Sequence, residues 1–480
     1  MEETVFFHED ATDITFTNDL HVVNIGDPFM LKISENEYYM YCTSAANGYY
    51  CWRSEDMVHW TDKKMCFVSK TDSWCADSFW APEVCEWEGK YYMFYTARNR
   101  QGSLKIGLAI SDAPDGPFVD YENKPLINPM FAVIDANIFI DDDGSKYLYF
   151  VRDCSENIIN GIHTSQIYGV QLSDDFTTML DVPVLLTTPE DNWERQSGNY
   201  AWNEGPEMIK HDGKYYLAYS ANYYESPAYS LGYAVSDSPL GTFVKAENNP
   251  ILTSIGLTDV SGPGHHSFVK SPDGTEIWAA YHSHTSVKAP SGNRKVNIGQ
   301  VVFSEDGKMF INGPLTTAQP LPSGVSTTNI SKIFTASINE ETDKKLTDEL
   351  ILIHRTGKFA TEEELSKSST ITFDEQGNAE VVLTSESEEG NPICGIALYA
   401  GDTEFPSSVS VRLKFDDDIY SQEYITGPEE ASPIVLSFDA LTAKKVTILL
   451  SAVQDAESEA PTEPESEISL SEISLFAPIN

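Results

Sequence analysis

Five short aromatic runs recur along the first two thirds of the chain. They are Tyr38-Tyr39-Met40-Tyr41, Tyr91-Tyr92-Met93-Phe94-Tyr95, Tyr147-Leu148-Tyr149-Phe150, Tyr215-Tyr216-Leu217-Ala218-Tyr219 and Ile277-Trp278-Ala279-Ala280-Tyr281. A turn glycine stands shortly before four of them: Gly89, Gly144, Gly213 and Gly274. Three of these turns read Asp-Gly, a hairpin signal, because the tight turn needs positive φ at both positions. A further strand follows each run and ends in serine plus an acid: Ser54-Glu55, Ser111-Asp112, Ser173-Asp174, Ser236-Asp237 and Ser304-Glu305. Two units share more, Ser111-Asp112-Ala113-Pro114-Asp115-Gly116-Pro117-Phe118 and Ser236-Asp237-Ser238-Pro239-Leu240-Gly241-Thr242-Phe243. A repeat of this kind is one supersecondary unit that buries its faces only against its neighbours. Five units of roughly 50–70 residues predict an all-β chain with a five-bladed β-propeller over residues 1–325.

In such a fold the first strand of each blade lines a central channel, and its first residue points at the axis. Asp135, Glu204 and His265 each precede their turn glycine by the same offset. Asp27 joins them by pattern, since Asp27-Pro28-Phe29-Met30 reads like Glu204-Gly205-Pro206-Glu207-Met208, and the second unit offers Ala81. Asp141, Asp142 and Glu207 fall off this register and are expected in turns or facing outward. An isolated acid at a strand start reads as a cap or a turn. Three acids at matched positions read as a site. Burying unpaired carboxylates costs several kcal/mol or shifts their pKa values. Two carboxyl groups with separated pKa values are what glycoside hydrolysis requires.

Charge narrows the partners. The 480 residues hold 74 Asp and Glu against 31 Lys and Arg, a formal net charge of -43. Such a surface repels phosphate backbones and anionic headgroups, so neither nucleic acid nor a membrane is expected. A neutral oligosaccharide or polysaccharide suits it, and a homo-oligomer is compatible with it. The 7 cysteines form no CxxC pair or zinc-like cluster, and free thiols are expected. No leader-like apolar stretch follows Met1, so a cytoplasmic location is expected, or secretion where a leader has been removed.

Five stretches, in order and one per repeat, resemble glycoside hydrolase family 43. They are Gly26-Asp27-Pro28-Phe29, Phe79-Trp80-Ala81-Pro82-Glu83-Val84, Ile134-Asp135-Ala136-Asn137-Ile138-Phe139-Ile140-Asp141, Asn203-Glu204-Gly205-Pro206 and Gly262-Pro263-Gly264-His265-His266. The resemblance covers residues 22–320. It implies a five-bladed propeller and hydrolysis with inversion, with Asp27 as the general base, Glu204 as the general acid and Asp135 as the carboxylate that orients the acid. Inversion implies Asp27 and Glu204 carboxyls roughly 6.5–9.5 Å apart. Trp80 resembles a wall of the sugar pocket, and Arg294 an arginine that reaches sugar hydroxyls. His265 resembles a channel histidine near a structural calcium, with His266 a weaker match; no cofactor is implied for the chemistry. Phe150-Val151-Arg152-Asp153-Cys154-Ser155-Glu156-Asn157, Ile167-Tyr168-Gly169-Val170 and Ser220-Ala221-Asn222-Tyr223-Tyr224 look most like the exo-acting α-L-arabinofuranosidases. β-Xylosidases and bifunctional members share the three acids.

The aromatic repeat stops near Thr327. Alternating runs follow, such as Val409-Ser410-Val411-Arg412-Leu413-Lys414-Phe415, and the chain closes on Ile468-Ser469-Leu470-Ser471-Glu472-Ile473-Ser474-Leu475-Phe476. Period-two alternation predicts a β-sandwich of jelly-roll type over residues 326–480, serving to bind glycan, cap the propeller or join a dimer. The acidic stretch 455–467 is expected as a solvated loop. Two rival functions stand beside the inverting glycosidase. A retaining fructan hydrolase is faintly suggested by Arg152-Asp153. A non-catalytic glycan-binding propeller has no need of three axial acids.

Overall fold

The computed structural model describes residues 4–9, 11, 13–351, 368–401, 405, 409–417, 419–426, 432–452 and 467–479. The chain is all-β: no α-helix occurs among the described residues, and the helical elements are 3-10 turns of three or four residues. It divides into two compact units. One comprises Asp19–Ser271 and Glu276–Pro314; the other comprises Met1–Asn18, Pro272–Thr275 and Leu315–Asn480. Relative to the expected division at residue 325, residues 1–18 therefore belong with the C-terminal residues. The cause is pairing and packing. Thr4–Val5 runs parallel to Ile419–Ile425, Thr15–Phe16 pairs with Gln319–Pro320, and Ile14 packs with Ala397, Tyr399 and Phe476.

The first unit is built on five successive antiparallel strand sets, here sheets one to five. Two and three have four strands each, four carries a short fifth strand, and five and one, of four strands each, are joined in one eight-stranded sheet. Their leading strands are Val23–Ser34, Cys75–Trp87, Val133–Ile140, Asn203–His211 and Gly264–Lys270. The second strands carry the aromatic runs, for instance Glu37–Thr43 and Lys214–Ala221. These strands are buried along almost their whole length. A strand covered on both faces needs a near-continuous apolar run rather than alternation. The cores lie between consecutive sheets. Tyr41 and Tyr49 meet Met93 and Tyr95; Phe94 and Leu108 meet Leu148 and Phe150; Tyr149 and Val151 meet Leu217 and Tyr219; Tyr216 and Tyr233 meet Ala279 and Tyr281. Sheet five also pairs with sheet one, through Arg294 opposite Ile25 and Lys295 opposite Val23, so the last sheet is tied to the first.

The second unit holds a seven-stranded and a five-stranded sheet. Side chains of both, including Val411, Leu383 and Ile448 from one and Ile396, Leu436 and Leu475 from the other, share one hydrophobic cluster. Residues 455–466 of the expected acidic loop lie outside the described residues; Glu467 opens the strand Glu467–Pro478. All seven cysteines are free.

Candidate active site

Each leading strand kinks at one corresponding place. The ladder slips between Gly26 and Phe29, Trp80 and Glu83, Ile134 and Asn137, Glu204 and Glu207, and Gly264 and Ser267. Within each slip one residue has positive φ: Asp27 (55°), Ala81 (41°), Asp135 (53°), Gly205 (53°) and His265 (46°). Such a bulge bends the strand and re-aims a side chain. For the four non-glycine residues the left-handed conformation costs on the order of 1–3 kcal/mol each, and it persists where the surroundings fix it.

This register corrects one expectation. Equal spacing to the turn glycine put Glu204 in the same slot as Asp135 and His265. The kink residue of sheet four is Gly205, and Glu204 sits one residue earlier, opposite Ser220. The hairpins explain the slip. His211 pairs with Lys214 across a two-residue turn, whereas Ile140 pairs with Lys146 and Lys270 with Ile277 across longer loops. Distance to the glycine therefore does not measure register. A Cβ at Gly205 would lie 3.2 Å from the His265 ring, on a backbone that already disfavours side chains.

The amide of every kink residue leaves its own ladder and needs an acceptor, since a buried unpaired N–H is costly. In each case the acceptor comes from the preceding sheet. Thr43 Oγ1 accepts from Ala81 at 2.8 Å, Thr96 Oγ1 from Asp135 at 3.0 Å, Ser220 Oγ from His265 at 2.8 Å, and His282 Nδ1 from Asp27 at 3.2 Å. These four acceptors occupy one register position, opposite Gly26, Trp80, Glu204 and Gly264. Sheet three has Val151 there, which cannot accept. Asp135 takes its place: its Oδ2 accepts from Gly205 N–H at 3.0 Å. The missing polar side chain thus ties the Asp135 carboxylate to the backbone next to Glu204. Sequence reasoning missed Thr43, Thr96, Ser220 and His282. The available signal was the polar residue that follows four of the five aromatic runs by one or two positions.

Asp27, Asp135, Glu204, Trp80, Arg294 and His265 all line one cavity of about 300 Å³. Thr43, Asp153, Trp202, Tyr223, Tyr224 and Tyr229 complete most of its wall. Within it the acids differ sharply. Burial pushes the Asp27 carboxyl up, but Arg294, His265, His282 and the Thr43 hydroxyl together outweigh burial and hold it well below the usual carboxylate range. Arg294 Nη1 donates to Asp27 Oδ1 at 2.8 Å and Thr43 Oγ1 donates to Oδ2 at 2.5 Å; His265 Nδ1 lies 3.4 Å from Oδ1. Glu204 goes the other way: burial, then the charges of Asp135, Asp153 and Asp27, push it well above the ordinary value, against a 2.9 Å hydrogen bond donated by Tyr229. Asp135 is pushed up to about 6 by burial, with His265 opposing and Asp27 adding. One cavity therefore holds a carboxyl group driven toward its anion and another driven toward its neutral form.

Arg294 does more than line the cavity. It is buried, pairs with Asp27 and lies over the Tyr224 ring at 4.8 Å. Gly26 makes this possible, because a Cβ there would fall 1.9 Å from Arg294 Nη2. Glu207, expected to face outward, is buried; its Oε1 accepts from Phe268 N–H at 2.8 Å, an intersheet bond that the outward reading did not foresee. Asp141 does sit at a turn, where Lys210 Nζ at 2.6 Å and Tyr215 OH at 2.5 Å bind it across to sheet four. Trp80 both lines the cavity and packs on the cluster that contains Ile134.

The residues do not fit a calcium ion held by side chains. Calcium takes about 6–8 oxygen ligands. His265 offers nitrogen, and the Asp27 oxygens are already engaged by Arg294 and Thr43. The His266 ring packs against Phe268 and is pushed down to about 3 by burial and by His265. Among the described residues no three His, Cys, Asp or Glu side chains converge as a metal cage.

Residues 16–309 match the model of Glycosyl hydrolases family 43. The chain is 29% identical over 287 residues to a xylosidase/arabinosidase of Humicola insolens, covering 53% of this chain and 81% of that protein. It is 27% identical over 297 residues to a β-D-galactofuranosidase of Aspergillus niger, covering 58% of this chain and 80% of the relative. A crystal structure described as a thermostable family-43 glycoside hydrolase superposes with a TM-score of 0.62 at 46% identity, over 64% of this chain and 99% of that one. The matched span contains all five kinked strands and every acid of the cavity, and the chain belongs to glycoside hydrolase family 43.

Proposed function

We propose that this chain is an inverting, exo-acting glycosidase that releases terminal α-L-arabinofuranosyl residues from plant-type oligosaccharides or polysaccharides. The observation that carries the reading is that Asp27 and Glu204 line one cavity whose surroundings shift their pKa values in opposite directions. Glu204 gives its proton to the leaving glycosidic oxygen as the bond to the anomeric carbon breaks. Asp27 accepts a proton from the water that attacks the opposite face. Asp135, anchored on Gly205, keeps Glu204 protonated and oriented. At about 300 Å³ the cavity is at the small end of ligand pockets, about 300–1,000 Å³, which suits one terminal sugar. In this reading the five sheets are the blades of a propeller whose axis is ringed by the kinks, and the two sheets of the second unit form an accessory β-sandwich. β-D-Xylosidase activity is the second reading, favoured by the relative named for both activities.

The test is hydrolysis of aryl α-L-arabinofuranoside, β-D-xylopyranoside and β-D-galactofuranoside side by side, with the first-formed anomer followed by proton NMR. Arabinose should appear first as the β-anomer. Retained configuration overturns the mechanism, and binding without turnover across the panel overturns the enzyme. The pH profile adds a second expectation. The active form has Asp27 ionised and Glu204 protonated, so activity falls on the basic side as Glu204 loses its proton. Asp135→Asn removes a neighbouring charge that raises Glu204, so the basic limb should move to lower pH, by about one unit. An unmoved limb would detach Asp135 from the titration of the acid.

A further inference from the structure

A buried ion pair lies in the first unit outside the catalytic cavity. Glu194, at the end of the 3-10 turn Asn192–Glu194, accepts from Lys245 Nζ at 2.7 Å on Oε1 and at 2.5 Å on Oε2. Lys245 comes from the short outer strand Val244–Lys245 of sheet four and also donates to Thr188 O at 2.7 Å. The same carboxylate accepts from Tyr219 OH at 2.8 Å, from Asn203 Nδ2 at 3.1 Å, and from the Glu190 and Asp191 amides at 2.7 and 2.8 Å. Three donors on each oxygen saturate it. Two of these donors bracket the general acid. Asn203 immediately precedes Glu204, and Tyr219 immediately precedes Ser220, the residue opposite Glu204 in the ladder. The turn also reaches the partner of the acid. Trp193 O accepts from Asn222 Nδ2 at 2.7 Å, the same amide group donates to Ala228 O at 2.9 Å, and Asn222 Oδ1 accepts from Gln196 N–H at 2.8 Å. Ala228 is the neighbour of Tyr229, which donates to Glu204. Asn222 is buried and has a φ of 78°, a conformation that persists in a residue other than glycine where its surroundings fix it.

Glu194, Lys245, Asn203 and Tyr219 are absent from the cavity wall and take no part in its proton transfers. Stability alone does not call for the ion pair either, since well-packed apolar groups of similar volume often replace such a pair at no cost. Apolar groups cannot hold Asn203 and Tyr219 at a set distance and direction, because burial is non-directional and a hydrogen bond is not. We propose that Glu194, neutralised in place by Lys245, is a positioning residue for the general acid. Through Asn203 on one side, and through Trp193 and Asn222 on the other, one short turn fixes both ends of the bond between Tyr229 and Glu204. It thereby sets the direction in which the Glu204 proton points. The inference rests on the glycosidase reading. It makes a selective claim. Asp27 takes its contacts from Thr43 on sheet one and from Arg294, His265 and His282 on sheet five, so the base should keep its place when the ion pair is lost.

The test compares two double variants of the full chain. Glu194→Leu with Lys245→Met removes the charges and the acceptor together. Glu194→Gln with Lys245→Met removes the charges and keeps an acceptor for Asn203 and Tyr219. kcat and KM are measured on an oligosaccharide, whose leaving group needs the proton, and on a dinitrophenyl glycoside, whose leaving group does not. The leucine variant should lose about tenfold in kcat on the oligosaccharide, with KM and the dinitrophenyl rate held within about twofold. The glutamine variant should recover most of the loss. Equal losses on the two substrates, an unchanged kcat, or no recovery with glutamine overturns the proposal. Should the leucine variant not fold, Asn203→Ala cuts only the link from Glu194 to the strand of the acid and is judged by the same kcat, KM and substrate comparison. If the wild type turns over neither substrate, the glycosidase reading falls by itself. The carboxyl ¹³C titration of Glu204, assigned by its loss in Glu204→Gln, then decides the positioning. The Tyr229 bond favours the anion, so releasing it should raise the midpoint in the leucine variant by about half a pH unit or more. An unmoved midpoint sinks the proposal.

Discussion

Glu204→Ala is expected to lower kcat/KM on an oligosaccharide by about 10²–10⁴-fold, the usual worth of a positioned general acid. The expectation comes from where the proton is held. Glu204 is surrounded by the charges of Asp135, Asp153 and Asp27 in a buried site, and all of these favour its neutral form. The 2.9 Å bond from Tyr229 favours the anion and fixes the orientation of the carboxyl. Gly264 leaves room for that tyrosine, since a Cβ there would lie 2.5 Å from its ring. A sugar alkoxide is a poor leaving group and needs the proton as the bond breaks. A dinitrophenolate does not. The loss in Glu204→Ala should therefore shrink to within about tenfold on a dinitrophenyl glycoside. Steady-state kinetics on the two substrates, with circular dichroism to check the fold, decides the matter. An equal loss on both substrates would mean that Glu204 does not act as the acid.

The five sheets were legible because sheet-on-sheet burial leaves no freedom in the second strands. Both faces of Glu37–Thr43 and Lys214–Ala221 are covered, so the apolar run must be unbroken, and the repeat stands out against polar turns. The identity of the acids was legible for the same reason, since a carboxylate at the head of such a strand has no packing role. What was not legible was register. The kink at Gly205 rather than Glu204 depends on the length of one hairpin turn, and hairpin length varies among the sheets. The amide acceptors were hidden for another reason. Donor and acceptor lie on different sheets, and His282 reaches the Asp27 amide from 255 residues away. Arg294 likewise finds Asp27 only because the fifth sheet is tied to the first.

Asp27→Asn should remove turnover whatever the leaving group, by about 10³-fold or more, because water activation is needed for every substrate of an inverting enzyme. Asparagine keeps the shape of the side chain and cannot take the proton. The variant also severs the 2.8 Å pair with Arg294, which is itself buried. Breaking one side of a buried ion pair costs about 3–5 kcal/mol, since a charge remains without its counter-ion. A loss of activity alone would thus confuse chemistry with folding. The double variant Asp27→Asn with Arg294→Gln separates them. It removes both charges, so much of the lost stability should return, as a coupling energy in a double-mutant cycle of thermal unfolding. Activity should not return, because the base is still absent. The pair also explains how Asp27 can serve as a base while held far toward its ionised form. Oδ1 is committed to Arg294 and Oδ2 to Thr43, so the carboxylate is pinned as an anion and gives up proton affinity for position. Proton transfer from water then draws on the developing oxocarbenium charge, which acidifies the attacking water as the bond forms. If Asp27→Asn retained activity within tenfold of wild type on both aryl and oligosaccharide substrates, the base would have to be sought among the other acids of the cavity, Asp135 or Asp153.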